Sequence, residues 1–344
     1  MNPYALSMII SSLALGTITT LSSFHWILAW IGLEINTLAI IPLMTKNPHP
    51  RSIEAATKYF LTQAAASALI LFSSIFNAWL LGEWTINNLM NPVSMILLSI
   101  AISTKLGLAP FHFWMPDVLQ GLTLYTGWIL STWQKLAPMA ILIQLSQSTN
   151  LTLIMTMGLL SILVGGWGGI NQNQVRKILA FSSIAHLGWM ITILKFSPQL
   201  SILNFSLYII MSSTLFYTFI IVNSVNISQL ATTWTKIPVL TALSLLSLLS
   251  LSGLPPLTGF MPKWLIAQEL IKQDLILISF IMLMLTLLSL FFYLRLTYTI
   301  SLTMAPNSSL SIPLWHLKKK NNLTFLTLLT LCLLPISPSL LCLI

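Results

Sequence analysis

Charge is scarce in this sequence. Only 6% of its 344 residues are Asp, Glu, Lys or Arg, where soluble domains carry about 25%. With 56% hydrophobic residues, so few charges cannot coat a water-soluble globule, and that class is excluded. Acids are rarest, at 6 Asp+Glu against 15 Lys+Arg. The basic excess does not point to nucleic acid, because most of it lies in short connections between apolar runs, the pattern that orients membrane chains. Cysteine is nearly absent as well. Cys332 and Cys342 share the last apolar run, so no disulfide framework, zinc site, haem site or iron–sulfur cluster can be built from them. No G-x-G-x-x-G opens a βαβ unit, which leaves nothing to bind NADH. Neither a cofactor nor a metal is expected within the chain. Met1-Asn2-Pro3 leads straight into an apolar run without a basic n-region, so no cleavable targeting segment is expected.

What is present is a series of apolar runs, each of about 20 residues and long enough to cross a bilayer as a helix. The fold class expected is an all-α polytopic membrane protein. Eleven spans are read at roughly 3–21, 24–44, 55–81, 93–109, 122–145, 149–171, 175–194, 200–223, 238–254 continued by 260–273, 275–302 and 323–343.

One stretch recurs. T-K-L-G-L-A-P-F-H-F-W-M-P covers 104–116, and L-S-G-L-P-P-L-T-G-F-M-P-K-W covers 251–264. With Gly107 laid on Gly253, Leu108 meets Leu254, Pro110 meets Pro256 and Met115-Pro116 meets Met261-Pro262 without a gap. Paired helix-breaking segments in two halves of a membrane chain point to broken helices at a transport site. Proline removes a backbone donor and crowds the carbonyl four residues back, so Pro110 is expected to free the carbonyl of Leu106 and Pro256 that of Ser252. The offset lays spans 1–5 over spans 6–10. Five is odd, so the second unit enters from the opposite side, as an inverted repeat. The domains expected are 1–146 and 147–302 as two five-helix repeats, 303–322 as a basic polar linker, and 323–344 as a final transmembrane helix.

The loops set the orientation. Even-numbered loops carry Lys46, Arg51, Lys58, Arg176, Lys177, Lys236 and the run Lys318-Lys319-Lys320. Odd-numbered loops carry Glu83, Lys195, Lys272 and Asp274. The basic side, which also receives the N-terminus, is the matrix or cytoplasmic face. The C-terminus falls on the other side. The Lys318 run reads as an orientation-setting loop, with an anionic lipid headgroup as the sharper alternative. Gly165-Gly166-Trp167-Gly168-Gly169 reads as close helix packing, and Glu54 with Lys58, four apart, as a surface pair.

A few charges sit where they are expensive. A charge at the bilayer centre costs about 2.5–3.5 kcal/mol on insertion scales. Glu34, Lys105 and Lys135 lie well inside apolar spans, and Lys263 joins them if the broken ninth span brings it to midplane. They must be paired, hydrated or periodically neutral. Glu34 and Lys105 are the natural ion pair. A lysine held in apolar surroundings can exchange its proton near neutral pH, which suits Lys135 and Lys263 to carrying protons. The alternative is that these lysines only bond carbonyls freed at the breaks. His186, deep in the seventh span, and His112, inside the first break, each read equally as a packing histidine or a proton relay.

The strings G-L-E-I-N-T-L-A-I-I-P, E-A-A-T-K-Y-F, K-L-G-L-A-P-F-H-F-W-M-P, S-S-I-A-H-L-G-W-M and G-L-P-P-L-T-G-F-M-P-K-W together resemble the antiporter-like subunits of respiratory complex I and their relatives in multisubunit cation/proton antiporters. They cover most of the chain from Gly32 to Trp264. The resemblance implies a proton-translocating membrane-arm subunit, coupled to NADH:ubiquinone electron transfer that occurs in other subunits. The complex as a whole uses NADH, FMN, iron–sulfur clusters and ubiquinone. Implied partners are neighbouring antiporter-like and other membrane-arm subunits, accessory subunits, and phospholipid, with cardiolipin a candidate. Glu34 resembles the family's intramembrane glutamate at a subunit boundary, Lys105 the lysine paired with it, Lys135 the central proton carrier, and Lys263 the lysine near the exit route. His186 falls where the family often has a polar relay residue. The wider family has fourteen spans. Its animal mitochondrial version lacks three at the N-terminus, which favours that version and a mitochondrial inner-membrane location, with the N-terminus on the matrix side and the C-terminus in the intermembrane space. Two rivals stand beside this reading. A stand-alone cation/proton antiporter would typically show a carboxylate cluster, and a structural spacer would use its lysines only to tie helices together.

Overall fold

A computed structural model of the chain describes residues 2–86, 91–235, 238–302, 327 and 330. The final span apart from residues 327 and 330, the linker, the Lys318 run, Lys236 and both cysteines lie outside the described residues. Among those described, the chain is all helix: α1 (Pro3–Ser22), α2 (Trp26–Met44), α3 (Pro50–Leu81), α4 (Pro92–Leu106), α5 (Trp114–Gly121), α6 (Leu124–Gln144), α7 (Leu151–Ile170), α8 (Val175–Ile193), α9 (Pro198–Val222), α10 (Ile227–Ala231) followed by a 3-10 turn at Thr232–Thr235, α11 (Pro238–Ser252), α12 (Phe260–Lys272) and α13 (Ile276–Leu302). Six of these, α1, α2, α3, α7, α9 and α13, are long and apolar enough to cross a membrane; α4 and α11 are shorter apolar helices.

Local chemistry sets the helix ends. Asn2, His25, His49 and Asn91 each accept a backbone N–H with a side-chain atom at the start of α1, α2, α3 and α4, filling one of the orphan donors of a first turn. Proline occupies the first position of α1, α3, α4 and α9, where its missing N–H is not needed. The cap at His49 and Pro50 starts α3 five residues before the expected 55. The fourth span also needs correction. Read as 93–109, it omitted its second half, which is α5.

The chain forms two compact units, 1–161 and 162–344. In the first, α3 packs against α2, α4 and α5, and α6 packs against α1, α2 and α4. Trp26, Leu33, Tyr59 and Leu98 are fully buried there. In the second, α9 packs on α8, α11 and α12, and α13 on α11 and α12, around buried Tyr208, Phe216, Phe219, Phe292 and Tyr293. Each unit also ties two helix ends with an antiparallel bridge. His25, before α2, bridges Thr85, after α3; Gln174, before α8, bridges Asn226, after α9. His25 also stacks on Trp84 at 5.5 Å. The glycine-rich end of α7 lies against neighbours as expected. Added β-carbons on Gly165 and Gly169 would run into Ala185 of α8 and Phe292 of α13.

Candidate functional site

Both breaks are real and have one design. They occupy 107–113 and 253–259, equal lengths, between α4 and α5 and between α11 and α12. Gly107 (φ 77°) and Gly253 (φ 84°) end the first halves in the left-handed conformation, which glycine adopts without a Cβ penalty. Glycine, three residues ahead of Pro110 or Pro256, is therefore what stops each helix. Pro116 and Pro262 fall in the first turns of α5 and α12, where proline is tolerated.

The carbonyls at the ends of the half-helices are satisfied differently in the two units. In the first, Trp114 Nε1 donates to Thr104 O at 2.9 Å, and the Leu108 N–H donates to Ser103 O at 3.0 Å. The acceptor filled from the far side of the break is thus on Thr104 rather than the expected Leu106. In the second, Lys263 Nζ donates to Ser252 O at 2.7 Å, the carbonyl expected to be freed. Lys263 folds over Gly253, so that a Cβ there would meet Nζ. A cation at a helix C-terminus also meets the negative end of the helix dipole. Lys105 sits in the last turn of α4 at the equivalent pole.

Lys105 and Lys135, 5% and 3% exposed, line one chamber in the first unit. Its other polar lining is Asn36, Thr37, Tyr59, Gln63 and Gln134. Gln134 Nε2 donates to Asn36 O at 3.0 Å, tying α6 to α2. Lys105 Nζ, both carboxamide atoms of Asn36, and Gln63 Nε2 are buried without a hydrogen-bond partner. The expected Glu34–Lys105 ion pair is absent. Neither Lys105 Nζ nor Glu34 Oε2, both buried, has a hydrogen-bond partner among the described residues. Helix α3 packs against both α2, which carries Glu34, and α4, which carries Lys105. Glu54 and Lys58 do pair, at 2.8 Å, and Lys58 also reaches Asp117 at 3.2 Å.

In the second unit His186 and Lys263 line a smaller cavity with Trp189, Ser289 and Tyr293. The His186 ring lies 5.5 Å from that of Tyr208. His112 is buried in the first break beside Phe113, ring centroids 4.3 Å apart, and lines neither cavity. The structure thus brings together Lys105 with Lys135, and His186 with Lys263, and leaves Glu34 and His112 outside both. Asn36, Tyr59, Gln63 and Gln134 are the chamber residues that a search for charge passes over. Neutral amides in an apolar span are the signal that finds them, Asn36 standing two residues after Glu34. Among the described residues no three His, Cys, Asp or Glu side chains gather as a metal site.

Comparison with known proteins gives the lineage. The family model "NADH:quinone oxidoreductase/Mrp antiporter, TM" matches residues 23–289, and "NADH dehydrogenase subunit 2 C-terminus" matches 290–341. NADH-ubiquinone oxidoreductase chain 2 of Aquarana catesbeiana is 60% identical over 343 residues, covering 99% of each chain. That of Xenopus laevis is 61% identical over 341 residues, 98% of this chain and 99% of its own. A chain of respiratory complex I from Thermus thermophilus superposes with a TM-score of 0.87 at 26% identity, over 99% of this chain and 80% of that one. A chain of the Mrp complex from a Dietzia species shares the fold, with a TM-score of 0.79 at 18% identity over 87% of this chain and 61% of that one. With one family model covering most of its length and relatives 60% identical end to end, this chain belongs to the NADH-ubiquinone oxidoreductase chain 2 family of complex I membrane subunits.

Proposed function

We propose that the chamber holding Lys105 and Lys135 is the proton-handling centre of this complex I membrane-arm subunit. The observation that carries the proposal is the enclosure of two buried lysines in one polar chamber, of which Lys105 has no hydrogen-bond partner. A buried charge without partners is expensive, so the chamber favours states in which one lysine is charged and the other neutral. A proton passed between them moves charge without moving the backbone. NADH oxidation and quinone reduction proceed in other subunits. Their free energy reaches this chamber as a change in field or conformation, with Glu34, two residues before the chamber residue Asn36, the acidic group that responds. Lys263 and His186 would continue the path in the second unit.

The finer reading has several parts. The chain has eleven spans in the mitochondrial inner membrane, with the N-terminus on the matrix side and the C-terminus in the intermembrane space. Residues 1–146 and 147–302 are two copies of one five-span unit, supported by equal breaks and by the bridges at His25–Thr85 and Gln174–Asn226. Neighbouring antiporter-like subunits, accessory subunits and phospholipid complete its surroundings.

The spacer reading is favoured by one observation, and only for Lys263, whose ammonium caps Ser252 O. It does not account for Lys105. The test is Lys135→Met in the assembled complex, with proton pumping and NADH oxidation measured together. Loss of pumping in a complex that still assembles is expected; wild-type proton stoichiometry would make Lys135 structural.

A further inference from the structure

One crevice of the first unit lies outside the lysine chamber. It runs between α3 and the segment that leads from the first break into α5. The contacts across it follow one another along both helices. A Cβ on Gly121 would strike Arg51 O and the Ala55 side chain, Lys58 bonds Asp117 at 3.2 Å, and Tyr59 meets Trp114 with ring centroids 5.8 Å apart. One end of the crevice is a polar pocket of about 140 Å³ lined by Arg51, Glu54, Lys58, Asp117 and Gln120. One turn further along α3 begins a groove of about 430 Å³, walled by Ala65, Ala66 and Leu69 on one side and by Pro110, Phe111 and Phe113 on the other.

The two parts carry different chemistry. The groove offers no free polar group. Thr62 and Thr104, also in its lining, donate their hydroxyls to carbonyls of their own helices, and the Trp114 indole is spent on Thr104 O. The polar pocket holds two cations and two acids. Lys58 bonds Glu54 Oε1 and Asp117 Oδ2, which leaves each carboxylate a second oxygen to accept from an ammonium. Arg51 is then the cation for a phosphate, which a guanidinium meets with two parallel N–H donors. Depth agrees with this division. Helix α3 has 32 residues, where about 20 cross the hydrocarbon. Its charges are Arg51, Glu54 and Lys58, all in its first turns, so those turns fall in the headgroup layer while residues 62–69 lie deeper. Pro110, Phe111 and Phe113 are exposed on irregular backbone, which does not face fluid lipid at membrane depth. A chain seated in the groove covers it.

We propose that this crevice binds one zwitterionic phospholipid bearing a primary amine, with its phosphate on Arg51, its ammonium on Glu54 and Asp117, and an acyl chain in the groove beside the first break. The inference rests on the membrane placement of α3 and not on the role of the lysines. A doubly anionic headgroup would face the two acids, and a trimethylated amine has no N–H to give them. A helix of another subunit would fill the groove but would leave the charged pocket beside it unanswered.

The test uses the assembled complex reconstituted with phosphatidylethanolamine that carries a photoactivatable acyl chain, with the labelled peptides mapped and quantified. Label is expected on residues 62–69 and 110–114. Loss of a charge-assisted hydrogen bond costs about tenfold in affinity. Unlabelled phosphatidylethanolamine should therefore compete about tenfold better than phosphatidylcholine or cardiolipin, and Arg51→Gln with Asp117→Asn should lower the labelling by a similar factor. Ala66→Trp, which fills the groove, should lower it as well. Equal competition by the three lipids would mean ordinary bilayer contact, better competition by cardiolipin an anionic-lipid site, and absence of label a groove covered by protein; each overturns the inference, as does undiminished label in the variants. If the variants do not assemble, density maps of the wild-type complex decide. A headgroup within hydrogen-bond distance of Arg51 and either acid, with a chain entering the groove, supports the inference, and its absence there overturns it.

Discussion

At the first break the half-helix ends at Gly107, an indole reaches back from Trp114 to fill a carbonyl, and Lys105 is left facing a chamber. At the second the half-helix ends at Gly253, and the reaching group is Lys263 itself. The backbone problem is the same, namely open carbonyls in a place without water. A neutral donor solves it in one unit and a charged one in the other. Where the donor is neutral, the lysine is available for chemistry. Where the donor is the lysine, moving its proton or its side chain also disturbs the helix end. The chambers differ accordingly. The first gathers Asn36, Gln63 and Gln134 around two lysines, whereas the second places Lys263 with His186, Tyr293 and Ser289 and no amide.

The largest expected effect breaks the first chamber. Groups that transfer protons contribute about 10²–10⁴-fold to a catalysed step. Lys135→Met should therefore abolish most NADH-driven pumping while the complex still assembles, as read by proton uptake into resealed membranes. Pumping at the wild-type rate would remove the distinction between the two units.

Next come the two glycines. A non-glycine residue in the left-handed region costs roughly 1–2 kcal/mol, so Gly107→Ala and Gly253→Ala should both destabilise. Gly253→Ala should be the worse, because its Cβ meets Lys263 Nζ at 2.8 Å, whereas at Gly107 the nearest atom is the Trp114 ring at 3.3 Å. Thermal inactivation midpoints of the two variants decide this, and equal midpoints would say that the Lys263 contact is unimportant.

The lysines at the breaks should then differ in sign. Removing Lys263 strands Ser252 O, and an unsatisfied buried acceptor costs about 1–3 kcal/mol. Lys263→Met should lower thermal stability. Lys105→Met removes a buried group with no partner and should leave stability unchanged or raise it while impairing pumping. A stability loss in Lys105→Met as large as that in Lys263→Met would mean the two lysines share one structural role.

The smallest effect is at the surface. Lys58 pairs with Glu54 and Asp117, but the three side chains are 44%, 61% and 52% exposed. Exposed pairs contribute about 0–1 kcal/mol. Lys58→Met should leave both stability and pumping near the wild type, and a larger loss would show that α3 and α5 depend on that link.

Much of this was legible in the residues. The breaks were visible as L-G-L-A-P and S-G-L-P-P, because glycine and proline act through the local backbone. The surface pair was visible because a spacing of four on one helix fixes proximity. The Glu34–Lys105 pair was misread for the opposite reason. Both are central in their spans, but depth in a span says nothing about the direction each side chain takes when the helices pack. The second half of the fourth span was missed because α5 is only eight residues long, too short to show a periodic pattern.

The sequence by itself determined that the chain is helical and apolar, where two of its helices are broken, and which few charges are out of place. Those properties depend on composition and on residues within a turn or two of each other. Only the tertiary structure decided that Lys105 shares a chamber with Lys135 rather than a bond with Glu34, and that neutral amides from α2, α3 and α6 line it. It also decided that Lys263 is engaged at a helix end. Each of those outcomes depends on how separate helices are rotated and spaced when they pack, and no single span encodes its own neighbours.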